Sequence, residues 1–319
     1  MYKEVSVIIC TYKSDYKKLI LTLKSIVCQK EIDYEIIVTD DGTSPDYANE
    51  LNLFIANHHI KNIRLLYQKE NTGTIRNISK ALDICNGKYC YLISPGDLLF
   101  DEYVLMDFYK FSEKNNYKIV FGNEITYNNE LELRIFKKIV KPKRPFLYNS
   151  LHGMNEKKIT LLSGEYIAGP AYFRKTVVFK KYISILKKHI RYVEDNTSSI
   201  LAIADNISID YYDRNIVWYE YGTGISTSKH NNWEKIITDE YIKVLQLICK
   251  NKNEKIYKFA LSKNLSKSVL DKIICFTKYP LCSIKAKLII CQKKVVHPVS
   301  QKDVAYLKEM INWLKLESK

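Results

Sequence analysis

The first third of the chain alternates short apolar runs with longer stretches in which apolar residues recur every three or four positions. Runs such as VSVIIC and YEIIV are rich in β-branched residues and predict buried strands. Between them, Leu19, Ile20, Leu23 and Ile26 recur at the spacing of one helix face. Near-continuous apolar strands separated by helices are typical of a parallel sheet covered on both faces. The pattern therefore predicts an α/β fold with a mainly parallel sheet flanked by helices.

Polar side chains follow each of these predicted strands. In open α/β sheets, ligands bind in the crevice at the carboxyl ends of the strands, so residues at those ends are expected to share one site. The residues in this position are Thr11, Tyr12, Asp40, Asp41, Asn71 and Asp97.

The pattern changes in the second half of the chain, which ends in a basic helical region. We predict a nucleotide-binding and catalytic domain over residues 1–235 and a lysine-rich helical region over residues 236–319. From Lys255 to Val299 there are ten lysines against a single acid, Asp271. Leu281, Ile284, Leu288, Cys291 and Val295 recur there at helical spacing. Such a helix lies on an anionic membrane leaflet or packs on the catalytic domain with its lysines in solvent, and both interpretations stay open.

Net charge and cysteine usage narrow the classes of partner and the cellular compartment. The formal net charge of +15 favours a polyanionic partner, such as a nucleic acid, an anionic membrane face or a phosphorylated substrate. The eight cysteines are scattered singly without a CxxC pair, which indicates reduced thiols. The sequence shows no signal-peptide pattern and no long uncharged apolar run. We therefore expect a cytoplasmic protein, either soluble or peripheral on the inner face of the cell membrane.

Two short stretches carry candidate binding chemistry. In VTDDG, the carboxylates of Asp40 and Asp41 suit hydrogen bonds from a base N–H and from ribose hydroxyls, although aspartates also cap helices. In ENTGTIRN, free N–H groups at a helix start and the guanidinium of Arg76 suit a phosphate, although the stretch also reads as an ordinary turn. The chain lacks the P-loop and GxGxxG patterns, which argues against kinases, GTPases and dinucleotide oxidoreductases.

The order of these pieces resembles family 2 glycosyltransferases of the GT-A fold, and in particular bacterial capsule and surface-glycan enzymes. Five stretches occur in the family's order along the chain: VSVIICTYK, EIIVTDDGTS, NTGTIRNISKALDICNGKYCYLI, SPGD and VED. The resemblance implies inverting transfer of a sugar from a nucleotide-sugar, usually a UDP-sugar. It places Thr11 and Tyr12 beside the nucleotide base, and Asp40 and Asp41 on uracil and ribose. It gives no role to nucleic acid.

The resemblance also implies a divalent metal, Mn²⁺ or Mg²⁺, on the diphosphate. The family's Asp-x-Asp-Asp run aligns with Ser94-Pro95-Gly96-Asp97, so two of its three carboxylates are absent. Asp97 matches the remaining acidic position, and phosphate oxygens and water supply most of the shell of such hard ions. Ser94 is expected to assist through its hydroxyl or a bound water. His230 is a candidate additional ligand, with an exposed loop histidine as the alternative.

The resemblance places the catalytic base in the pair Glu194-Asp195. Inverting transfer needs a base that takes the proton of the acceptor hydroxyl, and Asp195 matches the usual base, with Glu194 as the second candidate. The alternative is an ordinary acid at a helix start. Downstream of Gly164, the aromatic residues Tyr172 and Phe173 are expected either to form an acceptor wall or to lie in the core.

These expectations leave three functions open. The first is a glycosyltransferase that extends a glycan on a lipid carrier in bacterial surface polysaccharide synthesis, close to an anionic membrane. The second transfers sugars onto a surface adhesin protein. The third is a degenerate GT-A scaffold without activity, for which the reduced SPGD run is the best argument.

Overall fold

The computed structural model describes residues 3–43, 45–129, 132–136, 142–222 and 232–317. Within these residues nine strands form one sheet. The strands are β1 (Lys3–Thr11), β2 (Tyr34–Asp40), β3 (Ile63–Tyr67), β4 (Gly87–Ile93), β5 (Leu98–Leu99), β6 (Ile119–Asn128), β7 (Arg134–Phe136), β8 (Tyr172–Lys175) and β9 (Ile209–Glu220).

The α-helices connect these strands and then continue alone to the C-terminal end. They are α1 (Tyr16–Val27), α2 (Pro45–Asn57), α3 (Thr74–Ile84), α4 (Val104–Lys114), α5 (Met154–Leu162), α6 (Thr176–Leu186), α7 (Asp195–Ala204), α8 (Asn232–Asn251), α9 (Lys255–Leu265), α10 (Val269–Lys278), α11 (Pro280–Cys291) and α12 (Gln301–Glu317). Short 3₁₀ turns lie at Pro145–Tyr148 and Gly169–Ala171.

The sheet is mixed, with four parallel and four antiparallel strand pairs among the described residues, and with its flanking helices it confirms the predicted α/β fold. Its strand order is β3-β2-β1-β4-β8-β6-β9-β5, with β7 paired to β6. β1 pairs in parallel with β2 and β4, and β2 pairs in parallel with β3. β8 is antiparallel to both β4 and β6, and β9 is parallel to β6. The carboxyl ends of β1, β2, β4 and β9 therefore lie along the same edge of the sheet.

The core accounts for the two aromatic residues whose role the sequence leaves open. Tyr172 and Phe173 on β8 are fully buried. The Phe173 ring stacks between Tyr89 and Phe108, at centroid distances of 4.8 and 5.0 Å. The core interpretation is therefore correct, and these rings do not form a sugar-facing wall.

The C-terminal region contributes residues to the core, and its predicted apolar stripe continues past the end of a helix. Leu307 and Ile311 of α12 are buried in the same cluster as the β-strands, against α1. The predicted apolar stripe differs in extent, because α11 ends at Cys291 and Val295 lies beyond it. Among the described helices, none combines the length and the apolar character needed to cross a membrane.

Candidate active site

Asp40 is enclosed by hydrogen bonds at the end of β2. Its Oδ1 accepts from the Thr11 and Thr43 hydroxyls, each at 2.6 Å, and its Oδ2 accepts from the Thr43 backbone N–H at 2.5 Å. The side chain is 1% exposed. Asp40 therefore joins the ends of β1 and β2 and shapes the turn that follows.

Asp41 holds the loop between β3 and α3. Its carboxylate accepts from the Thr72 backbone N–H at 2.8 Å, the Thr72 hydroxyl at 2.9 Å and the Gly73 backbone N–H at 2.8 Å. Gly42 has a φ of 89°, and a Cβ there would lie 2.8 Å from the backbone carbon of Glu70. The bare backbone at position 42 is therefore what lets this loop pack directly on the end of β2.

A second set of contacts joins the same loop to the segment that precedes α7. Nη2 of Arg191 donates to the backbone oxygen and to Oδ1 of Asn71, both at 2.9 Å. The Arg191 backbone oxygen accepts from Ile75 N–H at 3.0 Å, and Arg191 packs where a side chain of Gly73 would lie. Asn71, predicted as a binding residue, thus also links the two halves of the site, through an arginine that sequence reasoning missed.

Three further predicted binding residues lie in solvent around this edge. Tyr12 follows β1 and is 41% exposed, Arg76 lies on the outer side of the first turn of α3, and Ser94 is exposed after β4. Their side chains are accessible to a ligand at the edge.

The Glu194-Asp195 pair lies at the start of α7, beside the backbone of Gly169. A Cβ on Gly169 would stand 3.3 Å from Oε1 of Glu194 and 3.7 Å from Oδ2 of Asp195. The three residues are half-buried. Burial raises the pKa of the Glu194 carboxyl, and the adjacent charge of Asp195 raises it further. Glu194 therefore keeps its proton to a higher pH than an ordinary glutamate does.

Glu240 of α8 fixes the backbone that leads into this pair. Its buried carboxylate accepts from three consecutive backbone N–H groups: Arg191 at 2.9 Å, Tyr192 at 3.0 Å and Val193 at 2.9 Å. Sequence reasoning missed Glu240, because an acid in a surface-patterned helix gives no sign of its distant partners.

Asp97, predicted as a metal ligand, points into the protein. Its side chain is 4% exposed, and Oδ1 accepts from the Glu220 backbone N–H at 3.0 Å. Burial raises the pKa of Asp97 to about 8, and the charge of Glu220 contributes to the increase. The Asp97 backbone oxygen also accepts from the Thr22 hydroxyl at 2.8 Å. The residue thus ties the turn after β4 to β9 and α1.

A different carboxylate occupies the position that Gly96 leaves empty. A Cβ on Gly96, whose φ is 97°, would lie 2.2 Å from Oε2 of Glu220. That same oxygen accepts from Lys18 Nζ at 2.7 Å. Glu220 is the last residue of β9, and Lys18 lies in the first turn of α1, so both lie at the edge where the carboxyl ends of the strands meet. Sequence reasoning missed this pair.

Arg191 joins the nucleotide-binding candidates to the segment that leads into the Glu194-Asp195 pair, because it binds Asn71 and packs against Gly73. The Cys10 thiol at the end of β1 has a pKa raised first by burial and then by the charges of Glu194 and Asp41. His230 lies outside the described residues. Within the described ranges, no group of three histidine, cysteine or acidic side chains is arranged to hold a metal ion.

Known proteins share this fold. S. aureus TarS 1–349 in complex with UDP-GlcNAc matches with a TM-score of 0.57 at 16% identity, over 89% of this chain and 81% of that chain. The mannosyltransferase PcManGT from Pyrobaculum calidifontis, in complex with GDP-Man and Mn²⁺, matches with a TM-score of 0.56 at 13% identity, over 100% of this chain and 85% of that chain. At these identities the likeness concerns the fold.

Sequence comparison is more specific over a shorter region. A curated relative, the dolichyl-phosphate beta-glucosyltransferase of Dictyostelium discoideum, is 32% identical over 95 residues. This match spans 29% of the present chain and 29% of that relative. The family model described as glycosyl transferase family 2 matches residues 6–180, which is more than half of the chain.

Proposed function

The chain belongs to glycosyl transferase family 2, and we propose that it is an inverting glycosyltransferase that moves a hexose from a nucleotide-sugar to a glycan acceptor. The donor is proposed to be a UDP-sugar. One observation carries the proposal: Glu194 and Asp195 lie beside the backbone of Gly169, and Arg191, in the segment just before them, binds the loop that Asp41 holds.

The carboxyl pair supplies the base. With Glu194 neutral, Asp195 carries the negative charge and accepts the proton of the acceptor hydroxyl as its oxygen attacks the anomeric carbon. The bond from that carbon to the diphosphate breaks on the opposite face, and the diphosphate leaves with the electron pair. Gly169 leaves room above both carboxyl groups for the acceptor.

The nucleotide is proposed to lie across the ends of β1, β2 and β4. Thr11, Asp40 and Asp41 form and hold the walls, since their polar atoms are engaged in the hydrogen bonds that join the loops. We propose that the exposed Tyr12 ring covers the base. Arg76, Asn71 and Ser94 are the proposed polar contacts to ribose and phosphate.

A metal ion fits this site only when substrate phosphates supply part of its coordination shell. Asp97 and Glu220 are both buried, and the Glu220 carboxylate, which is paired with Lys18, lies at the place of a residue-96 side chain. Mg²⁺ and Mn²⁺ sites commonly use one or two carboxylates, with substrate phosphates and water completing the shell. We propose Glu220 as the protein ligand, with Asp97 behind it and His230 as a further ligand. When bound, the metal would neutralise charge on the leaving diphosphate.

The acceptor is proposed to be a lipid-linked glycan of bacterial surface polysaccharide synthesis, such as a capsule precursor, used at the cytoplasmic face of the membrane. The name of the curated relative, a dolichyl-phosphate beta-glucosyltransferase, supports a lipid phosphate as part of the acceptor. The basic C-terminal region supports the same acceptor class. Sugars on an adhesin protein are the alternative acceptor.

Calorimetry with UDP-, dTDP- and GDP-sugars, with Mn²⁺ or Mg²⁺, tests the donor. Transfer assays then compare Asp195→Asn with Asp205→Asn, which removes the same charge at the other end of α7. We expect Asp195→Asn to bind donor normally and to lose at least about a hundredfold in turnover, as expected for a lost general base. Unchanged turnover would remove Asp195 from the mechanism. Binding of no nucleotide-sugar would favour the scaffold alternative.

A further inference from the structure

The helix pair α10–α11 places large apolar side chains in solvent. On α10 the exposed fractions are 74% for Val269, 65% for Leu270, 54% for Ile273 and 52% for Ile274. On α11 they are 74% for Leu281, 46% for Ile284 and 61% for Leu288. We call these seven residues the apolar surface of the pair. Exposed apolar residues that are contiguous, in contrast to scattered ones, mark an interaction site.

Each helix of the pair has two apolar sides, and only one faces the protein. Ser283, Ala286 and Ile289 of α11 are buried, and Cys275 is the buried residue of α10. At 3.6 residues per turn, Leu281, Ile284 and Leu288 lie on the opposite side of α11 from those buried positions. The exposed apolar surface is therefore not the side by which the pair packs on the rest of the chain.

Lysines border this surface on both sides. Lys272 and Lys278 flank the apolar side of α10 in the helical projection, as Lys285 and Lys287 do on α11, and all four are exposed. The acid in this stretch, Asp271, is engaged in the capping box at the start of α10 with Ser268. The pair thus combines an apolar centre with an almost purely cationic border.

The pair is attached firmly to the catalytic part of the chain. Its inner side packs on Leu147, Ile159 and Phe259. The buried Arg144 donates to the backbone oxygens of Ile290 and, at 2.9 Å, Gln292 at the end of α11, and it pairs with Glu165 at 2.5 Å. Whatever binds the apolar surface is therefore held at a fixed position relative to the active site.

We propose that the apolar surface of α10–α11 docks on an anionic membrane leaflet, with its apolar side chains at the acyl boundary and its lysines among the headgroups. This inference rests on the proposed lipid-linked acceptor, which such docking would bring to the active site. The charges decide between occupants, because a second copy would set lysine border against lysine border, whereas an anionic leaflet complements it.

Sedimentation with lipid vesicles tests the proposal on the full chain. One set contains phosphatidylglycerol and phosphatidylcholine in equal amounts, and the other contains phosphatidylcholine alone. We expect binding to the first set that weakens with added salt. Ile273→Ser with Leu288→Ser, and separately Lys272→Gln with Lys285→Gln, should each weaken it at least about tenfold. Leu151→Ser with Val177→Ser is the matched control, because these residues are 92% and 74% exposed outside the pair.

Two outcomes would overturn the proposal. The first is vesicle binding that is absent or equal for all variants. The second is a concentration-dependent dimer, measured by light scattering, that the Ile273→Ser and Leu288→Ser variant loses while vesicles have no effect. UDP binding by calorimetry separates this question from the proposed activity, since a chain that binds UDP but no vesicle disproves only the docking.

Discussion

At the residue scale, the environment of Glu194 supports the roles proposed for two neighbouring carboxyl groups. Glu194 and Asp195 start the same helix, yet burial and the charge of Asp195 raise the pKa of Glu194. In the proposed mechanism Asp195 accepts the proton, and a protonated Glu194 avoids a second negative charge beside it.

The stabilisation gained by replacing Glu194 with glutamine should therefore increase as the pH rises. The unfolded chain ionises Glu194 near 4.5, whereas the folded chain keeps the proton to a higher pH. Between those two values the native state binds more protons than the unfolded state, so this residue lowers stability with increasing pH. Glu194→Gln removes that dependence. The difference in free energy of unfolding between the variant and the wild type should therefore grow by up to about 1.4 kcal/mol per pH unit.

Urea unfolding of both proteins between about pH 5 and about pH 8 measures this difference. The exposed Glu31→Gln serves as the charge-matched control. A difference between Glu194→Gln and wild type that stays flat, or that shrinks with pH, would contradict the raised pKa of Glu194.

Glu220 provides the second residue-scale prediction. Its carboxylate fills the space of a residue-96 side chain, so Glu220→Gln should weaken Mn²⁺ binding to the UDP-bound protein about tenfold or more. Calorimetric titration of Mn²⁺ into the UDP-saturated protein measures this without an activity assay. Glu102→Gln, which breaks another lysine–glutamate pair, is the control. Equal Mn²⁺ affinity in Glu220→Gln and wild type would contradict Glu220 as a metal ligand and favour Asp97 and His230.

At the element scale, the segment that leads into the proposed base is positioned by a helix that does not contain that base. Glu240 of α8 binds the three backbone N–H groups before Glu194, and Arg191 in the same segment binds the Asn71 loop. The buried strands β1 to β4, the meeting of their carboxyl ends at one edge and the start of α7 follow from apolar period and turn residues, and the sequence predicts them. The partners of Glu240 and Glu220 do not follow, because they are 47 to 49 and 202 positions away and only the tertiary fold joins them.

Glu240→Gln should lower turnover more than it lowers nucleotide affinity. A glutamine offers one acceptor oxygen where the carboxylate offers two, so at least one buried N–H loses its partner, at a stability cost of about 1 to 3 kcal/mol. We expect kcat to fall about tenfold as the base loses its alignment, with little change in the Kd for UDP. Asp239→Asn, the exposed neighbour on α8, is the control. Parallel losses in kcat and UDP affinity would indicate general loosening of the fold and argue against a positioning role for Glu240.

At the scale of the whole molecule, the C-terminal region takes part in the catalytic fold. Tyr241, Val244 and Leu245 of α8 lie in the same buried cluster as β1 and β4, and α12 packs against α1. The composition of residues 236–319 separates them from the rest, because lysine content reports the solvent-exposed faces. It does not report the apolar positions that join these helices to the core.

A chain ending at residue 235 should therefore not fold as an independent domain. It would expose the core surface that α8 covers, and it would leave the N–H groups of residues 191–193 without Glu240. Each buried large apolar residue contributes about 1.5 to 3 kcal/mol, so losing several exceeds the total stability of a typical domain. We expect the full chain to unfold in one calorimetric transition and residues 1–235 to show none. A cooperative transition with UDP binding in residues 1–235 would establish the boundary at 235 as a true domain boundary, with the C-terminal helices as an addition to a complete enzyme.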